Sequence, residues 1–156
     1  MLTGKKIVLG VSGGIAAYKM ANVASMLSKL HADIHVVMTE NATHFITPET
    51  FEVLTGNHCY TDTFDRCMEL HVPHIALGTQ ADAILIAPAS ADVVGKIANG
   101  IADDMLTTCV LPATCPVMLA PSMNVHMYEN PIVQDNMKKL ASYGYEIIEA
   151  DEGYLA

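Results

Sequence analysis

With 156 residues, a formal net charge of -9, and 51% hydrophobic against 16% charged residues, the chain has the composition of a folded domain and not of a disordered segment. A single core of this size buries about two-thirds of the surface that the unfolded chain exposes, and the apolar balance suits further burial in an oligomer. The negative charge, with no basic run longer than Lys5-Lys6 or Lys138-Lys139, argues against nucleic acid or anionic lipid as a partner. No apolar stretch reaches the length of about 18 residues that a membrane span needs. The apolar run after Lys5-Lys6 breaks at Ser12-Gly13-Gly14, too early for a signal peptide, so a cytoplasmic location is expected. Cys59, Cys67, Cys109 and Cys115 lack CxxC spacing and are expected to be reduced and structural, and no metal site is expected.

In chain order, short apolar runs at 7–11, 34–38, 83–87, 117–120 and 146–148 read as strands buried on both faces of a parallel sheet. Ala16, Met20, Val23, Met26, Leu27 and Leu30 recur at three- and four-residue spacings, which predicts a helix over 15–30. Thr47 as N-cap, Pro48 in the first turn and Glu49 near the positive end of the dipole open a second helix that ends near Gly56. Residues 57–77 show weak periodicity, several acids and three histidines, and read as a surface loop with room for one helical turn. Ser90 or Asp92 caps a helix through Val93, Val94, Ile97 and Ala98 that stops at Asn99-Gly100, and a last helix over 132–143 is closed by Gly144. Strands alternating with crossover helices predict an α/β fold. It is a single-domain Rossmann-like (flavodoxin-like) parallel sheet with helices on both faces.

Open sheets of this class bind ligands beyond the carboxyl ends of their strands. The first strand runs into Ser12, Gly13 and Gly14, where glycines admit a ligand close to the backbone and the following helix offers free N–H groups to a phosphate. The turn is neither GxGxxG nor a Walker loop, and such turns also serve simply to reverse the chain. Thr39, at the end of the second strand, suits either a bond to the same phosphate or a cap on the next turn. The third strand ends in Ala87-Pro88-Ala89-Ser90-Ala91-Asp92 and the fourth in Ala120-Pro121-Ser122-Met123-Asn124, so three strand tips converge. Methionines beside Tyr128 suit a flat apolar ring or ordinary core filling equally.

Pro121-Ser122-Met123-Asn124-Val125-His126-Met127-Tyr128 resembles the PxMNxxMW signature of the flavin-containing cysteine decarboxylases, with Tyr128 in place of tryptophan. Pro88-Ala89-Ser90-Ala91-Asp92-Val93 resembles their PASANT motif, with Asp92 and Val93 replacing Asn and Thr. The continuation Gly95-Lys96-Ile97-Ala98-Asn99-Gly100-Ile101-Ala102-Asp103-Asp104-Met105-Leu106 also matches, and Pro73-His74-Ile75 falls where the family carries its active-site histidine. The opening from Gly4 to Lys19 is similar to the phosphopantothenoylcysteine decarboxylase branch.

The resemblance implies FMN as cofactor and 4'-phosphopantothenoylcysteine as substrate. The thiol end would be oxidised, CO2 lost to leave an enethiolate, and a hydride returned to form 4'-phosphopantetheine. It makes His74 the acid/base group and Asn124 the donor to the substrate carboxylate, with His71 and His126 as decoys. It assigns Ser12, Gly13, Gly14 and Thr39 to the FMN phosphate, and Ser90, Asp92 and Ser122 to the flavin. It also implies a homo-oligomer built from trimers. The branch closes its substrate flap with an LACG-like segment whose cysteine protonates the enethiolate. Residues 1–156 end at Tyr154-Leu155-Ala156, so that flap is expected to lie beyond them. The alternatives are a peptidyl-cysteine decarboxylase of lantibiotic maturation and a non-catalytic flavin-binding regulatory protein.

Overall fold

The computed structural model describes residues 1–65 and 72–149. Six parallel strands, β1 (Lys6–Val11), β2 (Asp33–Met38), β3 (Cys59–Tyr60), β4 (Ala83–Ala89), β5 (Val117–Pro121) and β6 (Glu146–Ile147), form one sheet in the order 3-2-1-4-5-6. Of the two common doubly wound orders this is the Rossmann one and not the 2-1-3-4-5 order of flavodoxin. The helices are α1 (Met20–Lys29), α2 (Pro48–Thr55), α3 (Pro73–Gln80), α4 (Ala91–Ala98), α5 (Met105–Val110), α6 (Val125–Tyr128) and α7 (Pro131–Ser142).

Strand side chains alternate between two cores. Leu9, Val11, Ile34, Val36 and Met38 join Ala17, Ala24 and Phe51 on the face covered by α1 and α2. Val8, Val37, Ile84, Ile86 and Leu119 join Leu77, Val94, Leu106 and Leu140 on the face covered by α3, α4, α5 and α7. Both faces of the central strands are therefore dry, which is why their sequences read as unbroken apolar runs.

Several elements differ from expectation. The predicted helix over 15–30 divides into a 3-10 turn, Ile15–Lys19, and α1. Thr47 occupies the N-cap of α2, but its hydroxyl meets Thr50 Oγ1 at 3.1 Å and caps no backbone N–H. The span read as a loop contains β3 and α3. Cys59 and Tyr60 pair with Val36 and Val37, and the Cys59 N–H donates to Glu52 Oε1 at 3.0 Å. A two-residue strand is too short to show alternation, and Pro73 at the first position of α3 reads equally as a loop residue. The helix α5 buries Met105, Leu106, Cys109 and Val110, so it has no polar stripe to announce it. Ser90 caps α4 by accepting from the Val93 N–H, which settles that alternative against Asp92.

Two contacts govern packing away from the ligand edge. A Cβ added to Gly78 of α3 would strike the Cys109 carbonyl and stand 3.0 Å from Pro112 Cγ, so α3 and α5 approach as closely as glycine allows. At the opposite edge of the sheet the Asp82 carboxylate accepts from the Lys6 N–H at 2.8 Å and from Lys5 Nζ at 3.0 Å, tying the start of β1 to that of β4. The backbone hydrogen bond from Lys6, followed by the one from Lys5, holds the Asp82 carboxyl below its ordinary value.

Gly78→Ala is expected to cost about 1–3 kcal/mol through overpacking, read as a lower unfolding midpoint in urea. The depressed Asp82 value contributes stability that is complete above about pH 4 and is lost as pH falls through the folded-state value. Asp82→Asn should therefore lower the thermal midpoint at pH 7, and the gap to the parent should close on acidification.

Candidate functional site

The strands on either side of the β1–β4 seam send their connections in opposite directions, which opens a crevice at their carboxyl ends. There the structure holds a cleft of about 560 Å³ lined by Gly13, Gly14 and Ile15 after β1, Ser90 and Ala91 after β4, and Ser122, Met123, Asn124, Val125 and Met127 after β5. That volume is typical of small-molecule sites. Among the described residues no charged side chain lines it.

Ser12 sets the cleft's floor without facing it. Its hydroxyl is fully buried, donates to the Pro88 carbonyl at 2.5 Å and accepts from the Ser90 N–H at 2.9 Å, while its own N–H donates to the same Pro88 carbonyl at 3.3 Å. A hydroxyl has one proton, so Ser12 has no donor left for a phosphate. In this arrangement Ser12 fastens the tip of β1 to the tip of β4. Gly13 is glycine for a steric reason, since a Cβ there would stand 2.5 Å from Asn41 Cβ. Gly14 precedes the 3-10 turn at Ile15, whose leading N–H groups have no acceptor within the turn itself and are available to an anion.

Ser90 and Ser122 line the cleft as expected, and the Ser122 N–H donates to the Ala89 carbonyl at 3.1 Å, which docks the β5 tip on β4. Met123 and Met127 also line it, so the two methionines belong to the cleft and not to the core. Asn124 lines the cleft and also caps α6. Its Oδ1 accepts from the His126 N–H at 2.9 Å, capping α6, and because that donor is a backbone amide the oxygen end is identified. The Nδ2 end is left as a two-proton donor at the cleft wall.

Thr39, Asp92 and His74 are not among the lining residues. Thr39 is buried and its Oγ1 accepts from the Ala42 N–H at 3.2 Å, so the capping alternative is realised. Asp92 turns to Lys96, 3.3 Å away, and faces an adjoining recess; its charge is paired there and does not lie along the cleft. His74 is the second residue of α3, two residues after Val72, whose φ of 56° is costly for a β-branched residue, and its Nδ1 is buried without a hydrogen-bond partner among the described residues. Cys67 and His71 lie outside the described residues. Cys59, Cys109 and Cys115 are free thiols. Burial pushes the Cys59 and Cys109 thiols up to about 12, which removes both as nucleophiles. Ile15, Ala91 and Val125 complete the cleft and were not singled out from the sequence. Each adjoins a residue that was, and side chains this ordinary carry no chemical signal.

The chain matches the family described as Flavoprotein over residues 1–156. It is 50% identical to the coenzyme A biosynthesis bifunctional protein CoaBC of Bacillus subtilis over 100% of this chain and 38% of that protein, so it spans about two-fifths of that relative's length. It is 44% identical to the probable phosphopantothenoylcysteine decarboxylase of Streptococcus mutans, over 97% of this chain and 86% of that one. Among solved structures, the FMN-dependent cysteine decarboxylase SpaF superposes with a TM-score of 0.91 at 38% identity, covering 98% of this chain and 88% of that chain. A PPC decarboxylase variant complexed with pantothenoylaminoethenethiol superposes at 0.85 with 30% identity, covering 97% and 85%. The chain therefore belongs to the Flavoprotein family, and within it to the group of the phosphopantothenoylcysteine decarboxylases.

Proposed function

We propose that this chain binds FMN in the cleft and decarboxylates 4'-phosphopantothenoylcysteine to 4'-phosphopantetheine, a cytoplasmic step of coenzyme A biosynthesis. The observation that carries the reading is the cleft's division of labour. Backbone N–H groups after Gly13 and Gly14 are available to an anion, and Met123, Met127 and the Asn124 amide offer an apolar wall and a neutral donor in the same cleft. A phosphate held by N–H groups needs no basic side chain, which fits a lining that has none.

Bound FMN supplies the electron sink that loss of CO2 from a cysteine-derived carboxylate requires. The residues of the chain do the rest. Ser90 and Ser122 present hydroxyls along the cleft, and the methionines exclude water. Asn124 Nδ2 donates to the substrate carboxylate and orients it for departure without the ground-state stabilisation that a cation would add. His74 accepts the proton released as the substrate thiol end is oxidised.

His74 stands apart from the lining of a single chain, and Ile15, Val125 and Met127 at the mouth are 49%, 53% and 48% exposed. Both observations support a homo-oligomer, a trimer or an assembly of trimers, in which a second protomer completes the cleft and covers these side chains.

The purified protein should be yellow, with a flavin absorption band that survives gel filtration. His74→Asn should keep the colour and lose about 10²- to 10⁴-fold in CO2 release from phosphopantothenoylcysteine. A colourless protein that FMN cannot reconstitute would refute the reading, and faster release from a peptide with a C-terminal cysteine would move it to the peptidyl substrate. Asn124→Asp keeps the cap on α6 and removes the donor, so kcat/KM should fall about 10- to 100-fold with the unfolding midpoint little changed.

A further inference from the structure

Beside the cleft lies a recess of about 220 Å³ lined by Glu40, Asn41, Asp92, Lys96, Asp103 and Asp104. The two adjoin: Asp92 follows the cleft residue Ala91, and Asn41 is the residue on which Gly13 packs. Four carboxylates thus adjoin the turn where an anion would sit, in a chain whose net charge is already -9. Asp104 is spent on α5, accepting from the Thr107 N–H at 2.7 Å and from the Thr107 hydroxyl at 2.7 Å. Lys96 is the sole cation among the lining residues. Its Nζ lies 3.1 Å from Asp103 Oδ1 and 3.3 Å from Asp92 Oδ2, with the side chain 23% exposed. Partial burial works to lower the lysine's pKa, but hydrogen bonds to Asp103 and Asp92 outweigh it and hold the group above its ordinary value.

Ion pairs of this exposure add little to stability, so the bridge needs another account. We propose that Lys96 is a positioning residue for the phosphate end of the cofactor. By setting one ammonium between Asp92 and Asp103, it weakens the negative field that the recess turns on a phosphate at Gly13 and Gly14. The inference rests on the FMN reading. It follows from the lack of a cation among the described residues that line the cleft: the cradle there feels the charge of its neighbour, within a screening length of about 8 Å at physiological ionic strength.

Riboflavin separates this role from a structural one, because it has the same ring system and no phosphate. Binding of FMN and of riboflavin to the flavin-free protein is followed by flavin fluorescence at about 20 and about 300 mM salt, a range over which the screening length shrinks severalfold. Lys96→Met should weaken FMN about five- to tenfold at low salt, leave riboflavin unchanged and lose most of the difference at high salt. Lys96→Arg should bind as the parent does, and Asp103→Asn added to Lys96→Met should restore FMN affinity. Equal weakening of both flavins, or none, overturns the proposal while leaving the FMN reading intact. If Lys96→Met does not fold, Asp103→Asn alone decides: FMN tightened relative to riboflavin supports the proposal, and any other result overturns it. A parent protein that binds neither flavin overturns the proposal together with the reading beneath it.

Discussion

The ligand edge depends on one buried hydroxyl. Ser12 Oγ sits between the carbonyl of Pro88 and the N–H of Ser90, and both partners belong to the tip of β4. A hydroxyl with no access to water must find its partners in the protein, so this group forces the tips of β1 and β4 into one fixed relation. The rest of the edge follows from that relation. Gly13 and Gly14 continue from one side of the seam and Ser90 and Ala91 from the other, while β5 joins through Ala89 paired with Pro121. Ser12 thus shapes the cleft through the partners of its hydroxyl.

The two faces of the sheet divide structural work from chemical work only in part. On the α1 and α2 side, the turn that begins at Ile15 contributes Ala17 to the core and Ile15 to the cleft. On the other side, α4 begins with cleft residues and buries Val93 and Val94 one turn later. Helices that start at the ligand edge direct their free N–H groups there while their remaining length is anchored in a dry core. Such anchoring keeps a donor set in place without a basic side chain to spend on it.

Most of the architecture was legible because the central strands are buried on both sides and leave unbroken apolar runs. The failures share a physical cause. Cys59–Tyr60 is too short to alternate, and Met105–Val110 is buried over most of its length, so neither has a period to detect. Pro73 reads as a loop residue until its position at the start of α3 is known. At the ligand edge, position relative to strand ends was enough to place Gly13, Gly14, Ser90, Ser122 and Asn124 along one cleft. It could not say which hydroxyls were already committed, because hydrogen-bond partners such as Pro88 and Ser12 lie 76 residues apart in sequence. The pairing of Asp92 with Lys96, one helical turn away, likewise carries no signal in the motif itself.

The tight seat of Gly13 on Asn41 has a kinetic meaning. A turn wedged this closely against its neighbour has few alternative shapes to sample, so its conformational entropy is surrendered when the chain folds and not when a ligand arrives. Encounter with a phosphorylated molecule then requires little rearrangement of the backbone, and association is governed by diffusion and by the field at the mouth. A side chain larger than hydrogen at position 13 would push the turn off Asn41 and shift the ordering cost onto the binding step, where it would slow capture even if every contact in the final complex were retained.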